Sequence, residues 1–321
     1  MDDPIIIRPT EKNNLPWVQG LCETGNDFMT TEKPILKAAS WAAGALPAPI
    51  KKLLYKMPFL AQLIRRSLNA AAPEGLSEVT IAAGAAKGLR MVLDLQSEKD
   101  YWLGTYESDL GSAARKLIQP GDVVYDIGAN IGYISLLSAR LNGKSGKVFT
   151  FEALPANVDR LRKNILINAL ESRIMVTHAA VIDAVQPVTF LTHPSGAMGK
   201  ALGSAGRDEE YNGRITVPGL ALDAFVYDEN HPAPDVIKMD IEGGEGKALA
   251  GMPHLLAEKR PILLIELHGE KAARQVWNHL RRHVYSVHKM KRGYSKVTHI
   301  NALNWKAYII AVPEEEINLL T

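Results

Sequence analysis

The stretch Val124-Tyr-Asp-Ile-Gly-Ala-Asn-Ile-Gly132 joins an apolar run to a glycine-bearing turn and the start of a helical pattern. A strand that passes through such a turn into a helix is typical of nucleotide sites in α/β sheets. Gly128 and Gly132 let the backbone turn tightly and leave room for a ligand at the helix start. Two glycines alone are a weak signal, because an ordinary strand-to-helix connection also uses them.

Apolar runs alternate with helical patterns on both sides of this turn. The runs lie at 123–127, 148–151, 174–181, 236–241, 262–267 and 305–312, and the helical patterns lie at 131 onward, 156–169, 247–256 and 270–283. This rhythm predicts an α/β fold with a Rossmann-like, mostly parallel sheet and helices on both faces. The segment 186–226 between the two halves contains glycine and proline breaks and two short strand-like runs.

The first 75 residues differ from the rest of the chain. Residues 1–32 are polar without sustained periodicity, which favours an extended arm. Seven basic residues and no acid lie between Lys33 and Pro73, where two apolar stripes, at 50–57 and 60–68, predict short amphipathic helices. We therefore predict an N-terminal arm and helical extension over 1–75 and one α/β domain over 76–321.

Composition argues against several classes of protein. The 37 Lys and Arg residues against 35 Asp and Glu give a net charge of +2, which provides no field for nucleic acid. Cys22 is the only cysteine, so an internal disulfide is excluded and a reducing cytoplasm is expected. The sequence shows no basic signal region and no apolar run long enough to span a membrane.

Acidic residues follow three successive predicted strands, at Asp126, Glu152 and Asp183. A carboxylate at the end of the second strand suits the two hydroxyls of an adenosine ribose. Asp126, beside the turn, would repel a pyrophosphate but favour a ligand with an ammonium and a sulfonium group, as S-adenosylmethionine has. Asn130 in the middle of the turn departs from the dinucleotide pattern, and its side chain can contact the ligand or lock the loop.

Three motifs together resemble the FkbM-type methyltransferases. They are Asp126-Ile-Gly-Ala-Asn-Ile-Gly132, then Phe151-Glu-Ala-Leu-Pro-Ala-Asn157 with the downstream Asn164 and Asn168, and Lys238-Met-Asp-Ile-Glu-Gly-Gly-Glu245. The resemblance spans about residues 101–312. It implies a class I methyltransferase fold for the α/β domain, S-adenosylmethionine as donor and usually an oxygen acceptor. Ala153 departs from the family, which more often has proline there.

The donor site predicted in this way surrounds the glycine turn. Similar proteins carry a Tyr-Glu pair at the position of Tyr106-Glu107, so the Glu107 carboxylate is expected to meet the donor's ammonium group. A surface helix with buried aromatic residues explains the same pair. The predicted donor-binding residues are Glu107, Asp126, Gly128, Asn130, Gly132, Glu152, Asp183 and Asp240.

The acceptor side is predicted at the next strand end. Lys238, Asp240 and Glu242 recur at every second residue, which places them on one strand face, and buried charges favour the carboxyl end of the strand. Asp240 is expected to position the acceptor or take its proton, and His268, after Glu266, is a further candidate base. The alternatives are a structural ion-pair cluster, helix capping by Glu242 and Glu245, and a structural role for His268.

A metal is not predicted, because Asp240 and Glu242 are only two obvious ligands for Mg²⁺. The acceptor is expected to be a small-molecule, sugar or glycan hydroxyl, with the 193–210 loop on the acceptor side. An NAD-dependent oxidoreductase and a catalytically silent cofactor-binding protein are the alternatives. An NAD-dependent oxidoreductase would need a turn that accommodates a pyrophosphate. A catalytically silent protein would have lost its catalytic residues.

The basic stripe at 50–68 predicts peripheral contact with an anionic membrane surface. The favoured alternative is that its apolar residues pack on the catalytic domain or across a dimer, as most apolar stripes of soluble chains are buried. A homo-oligomer is therefore left open.

Overall fold

A computed structural model describes residues 33–45, 57–193, 199–205, 211, 213–303 and 306–320. The helices of this part are α1 (Pro34–Ala45), α2 (Pro58–Ala71), α3 (Lys99–Leu103), α4 (Ser108–Leu117), α5 (Tyr133–Leu141), α6 (Pro155–Ile167), α7 (Glu245–Ala250) and α8 (Glu270–Arg282). The strands are β1 (Leu76–Thr80), β2 (Arg90–Asp94), β3 (Val123–Ile127), β4 (Lys147–Glu152), β5 (Ile174–His178), β6 (Ala180–Val181), β7 (Pro187–Thr192), β8 (Gly199–Ala201), β9 (Gly213–Leu220), β10 (Val236–Met239), β11 (Ile262–His268), β12 (Tyr285–Lys289) and β13 (Lys306–Pro313). Short π- or 3-10-helical segments lie at Ala224–Asp228, Leu255–Lys259, Ile300–Ala302 and Glu314–Leu320.

Seven strands form the central sheet in the order β5-β4-β3-β10-β11-β13-β12. The strands from β5 to β11 are parallel, whereas β13 runs antiparallel to both β11 and β12. The chain adds strands outward from β3 in one direction and then resumes on its other side with β10. Open α/β sheets bind ligands at such a switch point, outside the carboxyl ends of the strands.

Both faces of the sheet are covered by helices, as predicted. Alternate strand residues point to opposite faces, so Val124 joins the apolar cluster under α4, α5 and α6, while Tyr125 joins the cluster under α7 and α8. Buried strands on both faces explain why these segments are nearly continuous apolar runs. The predicted Rossmann-like α/β fold is confirmed.

Two predicted elements are divided in the structure. The run 174–181 leaves the central sheet at His178, and Ala180–Val181 pairs instead with β9 in a four-stranded sheet of order β6-β9-β7-β8. The helix expected over 247–256 is interrupted near Pro253, which separates α7 from a π-helical segment. The strand β12 lies in a segment for which the sequence analysis predicts no element.

Two asparagines, one in α6 and one directly after it, bind the backbone of β2. The Asn164 side chain is fully buried, accepts from the Val92 amide at 2.7 Å and donates to the Ile131 carbonyl at 2.8 Å. One turn later, Asn168 accepts from the Arg90 amide and donates to the Arg90 carbonyl. Their i, i+4 spacing lets both amides pair with a strand edge, which ties the glycine turn to the β1–β2 hairpin.

The described part of the N-terminal extension packs on the α/β domain. Leu36 of α1 and Leu68 of α2 are buried in the apolar cluster that also contains Val124. The second predicted amphipathic helix is α2, whereas the first stripe lies, up to residue 56, outside the described residues. The division of the chain at residues 75 and 76 stays a prediction. No helix within the described ranges is long and apolar enough to cross a membrane.

Candidate active site

A cleft opens at the switch point, where the turns after β3, β4 and β10 meet. Its walls include the turn residues 128–131, residues 152–154 after β4, and residues 240–242 after β10. Tyr101, Tyr106 and Tyr133 close one side, and residues from the four-stranded sheet, such as Phe190 and Ala201, close another. The sequence-predicted turn therefore lies in the wall of a cleft.

Gly128 makes room for the protein's own backbone. Its φ of +73° lies in the left-handed region, and a Cβ placed there would lie 1.9 Å from the Asp240 carbonyl oxygen. Gly132, with φ of +93°, similarly allows Leu161 of α6 to approach. Both glycines thus allow the tight turn that the sequence predicts, with Asp240 and Leu161 as their nearest neighbours, and the room they leave for a ligand stays a prediction.

Glu152 is the most firmly oriented carboxylate of the cleft. Its side chain is buried, one oxygen accepts from the Asn130 amide and the other from the Leu154 amide, both at 2.8 Å. Burial raises the pKa of Glu152, and these two backbone hydrogen bonds oppose the rise. The contact with Asn130 is through its backbone amide, in a residue whose φ is +49°.

Asp126 lies behind the cleft wall, which corrects its expected position beside the ligand. Its carboxylate is fully buried, accepts from the Ser135 hydroxyl at 2.5 Å and lies 3.2 Å from the Lys238 ammonium. Lys238 also donates to the Gly128 carbonyl at 2.8 Å. Burial opposes the charged form of Lys238, but Asp126 and Asp240 outweigh it and raise the Lys238 pKa. Lys238 thus joins β3 to β10.

Three tyrosines form an aromatic wall beside the glycine turn. The ring centroid of Tyr101 lies 4.1 Å from that of Tyr106 and 5.3 Å from that of Tyr133. Glu107 follows in a left-handed conformation, φ +38°, and does not line the cleft. Burial raises the pKa of Glu107, and the Lys238 charge opposes the rise. The role of Glu107 toward a donor ammonium stays a prediction.

Four carboxylates surround the buried imidazole of His268; we call these five residues the His268 cluster. Nδ1 of His268 lies 3.1 Å from Glu245, while Nε2 lies 3.1 Å from Glu266, 3.7 Å from Glu242 and 3.8 Å from Asp240. Burial opposes protonation, yet the hydrogen bonds to Glu245 and Glu266 and the other charges raise the His268 pKa to about 10. A histidine that retains its proton is a poor general base.

The structure brings Asp240, Glu242 and His268 together, although not as one strand face. The strand β10 ends at Met239, and Glu242 reaches the cluster from a turn with φ +52°. Burial raises the Asp240 pKa, and the charge of Lys238 counters this rise. About a fifth of the Asp240 side chain stays exposed, toward the cleft. Asp183 is exposed and does not itself line the cleft, although the preceding Val181 and Ile182 do, so its predicted role toward the donor stays a prediction.

Comparison with known proteins agrees with this geometry. The family described as the methyltransferase FkbM domain matches residues 126–287, half of the chain. The chain belongs to this family. The resemblance to FkbM-type methyltransferases that the three motifs carry is confirmed.

Two methyltransferases are similar in sequence to this chain. The hexuronic acid methyltransferase AglP of Haloferax volcanii is 28% identical over 149 residues, a match that covers 46% of this chain and 56% of AglP. The 31-O-demethyl-FK506 methyltransferase FkbM of Streptomyces tacrolimicus is 27% identical over 197 residues, which covers 53% of this chain and 75% of that protein. The chain thus spans little more than half the length of AglP.

Solved structures also align with the chain. A crystal structure of methyltransferase FkbM from Methylobacillus flagellatus KT has a TM-score of 0.41 and 20% identity, and covers 60% of this chain and 43% of that one. An O-methyltransferase from Bacillus cereus in complex with SAH has a TM-score of 0.38 and 17% identity, and covers 63% of this chain and 81% of that one.

The residues of this FkbM-family chain that the sequence did not predict for the site include Tyr133 and Lys306, besides Glu245 and Glu266 of the His268 cluster. Tyr133 directly follows Gly132, and its position at the start of α5 could have marked it. Lys306 forms an ion pair with Glu266, because antiparallel pairing places Lys306 opposite His268. No local signal predicts that register.

Gly199, Ala201 and Ser204 from the 193–210 loop line the cleft. Residues 194–198 and 206–210 of the same loop lie outside the described residues, so the acceptor role of the loop stays a prediction.

The approach of the two turns predicts a large effect for Gly128→Ala. Gly75 has nearly the same φ, +77°, with nothing within 4 Å of its would-be Cβ, so Gly75→Ala is a matched control for backbone strain. We expect Gly75→Ala to lose about 1 kcal/mol and Gly128→Ala about 3 kcal/mol or more of unfolding free energy in urea titrations. Equal losses would contradict a close contact at Gly128.

Proposed function

We propose that this protein transfers the methyl group of S-adenosylmethionine to a hydroxyl of a small molecule, sugar or glycan. The observation that supports this most is the position of Glu152, a buried carboxylate held in the cleft wall by two backbone amides. A carboxylate accepts hydrogen bonds from both hydroxyls of a ribose, and here it is oriented before the ligand arrives.

The same contacts disfavour a dinucleotide. A pyrophosphate needs free amides at the start of the helix, but Glu152 already occupies the Asn130 amide. Asp126 contributes little to this choice, because Lys238 neutralises it behind the wall. The three tyrosine rings offer a cationic sulfonium the negative faces of aromatic systems. An oxidoreductase role is therefore the weaker alternative.

Asp240 would act on the acceptor. In an in-line displacement the acceptor oxygen forms a bond to the methyl carbon as the carbon–sulfur bond breaks, and the hydroxyl proton must leave. Asp240 lines the cleft next to Glu242 and is fixed by the backbone contact with Gly128. Its carboxylate can orient the hydroxyl and accept this proton. The name of AglP makes hexuronic acids the first acceptors to test.

The donor assignment predicts that Glu152→Ala weakens binding of S-adenosylmethionine. Loss of a carboxylate that contacts two hydroxyls costs on the order of 2 kcal/mol or more, about 30-fold in dissociation constant by calorimetry. Glu171→Ala, an exposed acid near the opposite end of the same sheet, is the control and should bind normally. The assignment would be refuted if folded Glu152→Ala, checked by its thermal melt, bound S-adenosylmethionine with unchanged affinity. It would also be refuted if the wild-type chain bound NAD.

The acceptor assignment predicts that Asp240→Asn lowers turnover more than donor affinity. Removal of a positioned proton acceptor costs about 100- to 10,000-fold in rate, while the donor dissociation constant should change little. S-Adenosylhomocysteine formation with hexuronic acids and other polyhydroxy acceptors measures the rate. The exposed Asp109→Asn is the control. Full turnover of Asp240→Asn would contradict the role.

We also propose that the N-terminal helices contact an anionic membrane surface. Trp41 of α1 and Phe59 and Leu63 of α2 expose 71%, 80% and 51% of their surface, and the basic residues Lys37 and Arg66 are exposed on the same helices. The stripe therefore does not pack fully on its own chain, although Leu68 does. Apolar rings flanked by basic residues without acids suit anionic lipid headgroups.

This membrane contact predicts that the full chain sediments with anionic vesicles and not with neutral ones, and that salt weakens the binding, since each basic residue contributes about 1 kcal/mol electrostatically. Phe59→Ser with Leu63→Ser should lose most binding, whereas Val185→Ser, an exposed apolar residue elsewhere, should not. Absence of vesicle binding would contradict the membrane contact. A dimer in light scattering that the double variant dissociates would instead identify a second copy of the chain as the partner of this surface.

A further inference from the structure

The His268 cluster has the arrangement of a metal-binding histidine with its supporting carboxylate. His268 and Glu245 are both buried, and the 3.1 Å contact between Nδ1 and Glu245 holds the ring in one orientation. Metal-ligating histidines use their second nitrogen in this way, because a carboxylate partner fixes the ring and raises the basicity of the other nitrogen. The remaining nitrogen, Nε2, faces Asp240, Glu242 and Glu266.

The cluster holds more negative charge than its own cations offset. Four carboxylates surround one imidazole, and Lys306 adds one ion pair, with Glu266. Lys238 is directed at Asp126 and at the Gly128 carbonyl. Glu245 Oε2 is buried and accepts no hydrogen bond. Since buried negative charge that no cation offsets costs several kcal/mol, this set favours a further cation.

The spacing of the oxygen and nitrogen atoms suits one ion. One potential ligand atom each from Asp240, Glu266 and His268 lies within 4.8 Å of the others. Ligands about 2.1 Å from a six-coordinate ion stand about 3 Å apart when adjacent and about 4.2 Å apart when opposite. The distances of 3.1 Å and 3.8 Å from Nε2 to Glu266 and Asp240 fall in this range.

We propose that Asp240, Glu266 and His268 bind a divalent transition-metal ion, which displaces the proton of His268 Nε2 into solvent, with Glu242 as a further ligand and Glu245 supporting the histidine. Carboxylates with one imidazole suit Mn²⁺ better than Mg²⁺, which prefers oxygen and water ligands. Glu266 and His268 of β11 add the ligands that the sequence alone did not place beside Asp240 and Glu242. Because Asp240 and Glu242 line the cleft, the ion would face the acceptor hydroxyl and favour its ionised form; this role rests on the proposed function.

Titration of the full chain with Mn²⁺, followed by the loss of the free-ion signal in electron paramagnetic resonance, tests the site without donor or acceptor. We expect one tightly bound ion per chain. His268→Gln should abolish this binding, and Glu245→Gln should weaken it 10- to 100-fold, the usual effect of losing a supporting carboxylate. Glu258→Gln, from the exposed His254–Glu258 pair, is the matched control and should bind like wild type.

Lys306→Met separates a metal site from a structural ion-pair cluster. Lys306 would compete with the metal ion for the Glu266 carboxylate, so its removal should tighten Mn²⁺ binding several-fold. If the cluster is only a structural ion-pair network, removal of this cation should lower the stability of the fold without any gain in Mn²⁺ binding. Thermal melts of the metal-free variants check that they fold. Absence of stoichiometric Mn²⁺ binding to wild type, or wild-type affinity in folded His268→Gln, would overturn the proposal. Neither result depends on donor binding at Glu152, so failure of the methyl-transfer assignment would be seen separately.

Discussion

The close contact between the turns after β3 and β10 is the constraint on which the site depends. Gly128 can approach the Asp240 carbonyl only because it has no Cβ, and Lys238 joins the same two turns through the Gly128 carbonyl and the Asp126 carboxylate. These contacts hold the end of one parallel strand against the next at the switch point. The turn that Glu152 braces and the strand end that carries Asp240 are therefore fixed relative to each other, as a reaction between two bound molecules requires.

The charges near this contact fall into two groups with different consequences. Asp126 and Lys238 form a buried ion pair that links two strands and, because the opposite charges offset each other, leaves little field in the cleft. The His268 cluster is not balanced in this way, because its carboxylates outnumber the imidazole and Lys306. Burial raises the Asp240 pKa, as do the neighbouring acids, and the Lys238 charge opposes the rise. The excess charge lies on the side of the cleft away from Glu152, so the two ends of the cleft favour chemically different ligands.

The sequence predicted the parts of the fold that local pattern determines. Apolar runs and the turn at Gly128 were sufficient for the central parallel strands, because each strand and its following helix are adjacent in the chain. Asp126 was misplaced since its position next to the turn says nothing about a lysine 112 residues later that neutralises it. Lys306 was missed for the same reason: its contact with Glu266 follows from antiparallel pairing of β13 with β11, which no local periodicity encodes.

The His268 cluster shows why the motif residues could be found while their chemistry could not. Asp240 and Glu242 belong to one motif, but Glu266 and His268 lie on β11, and only the parallel pairing of β10 with β11 brings the two strand ends together. A helix-capping interpretation of Glu245 was reasonable from its place at the start of α7, and one of its oxygens does accept from the Gly243 amide. The same oxygen also lies against His268, so capping and support of the imidazole are not exclusive. A residue type that is explained locally can thus still belong to a site, and burial of both partners is what distinguishes this contact from an exposed cap.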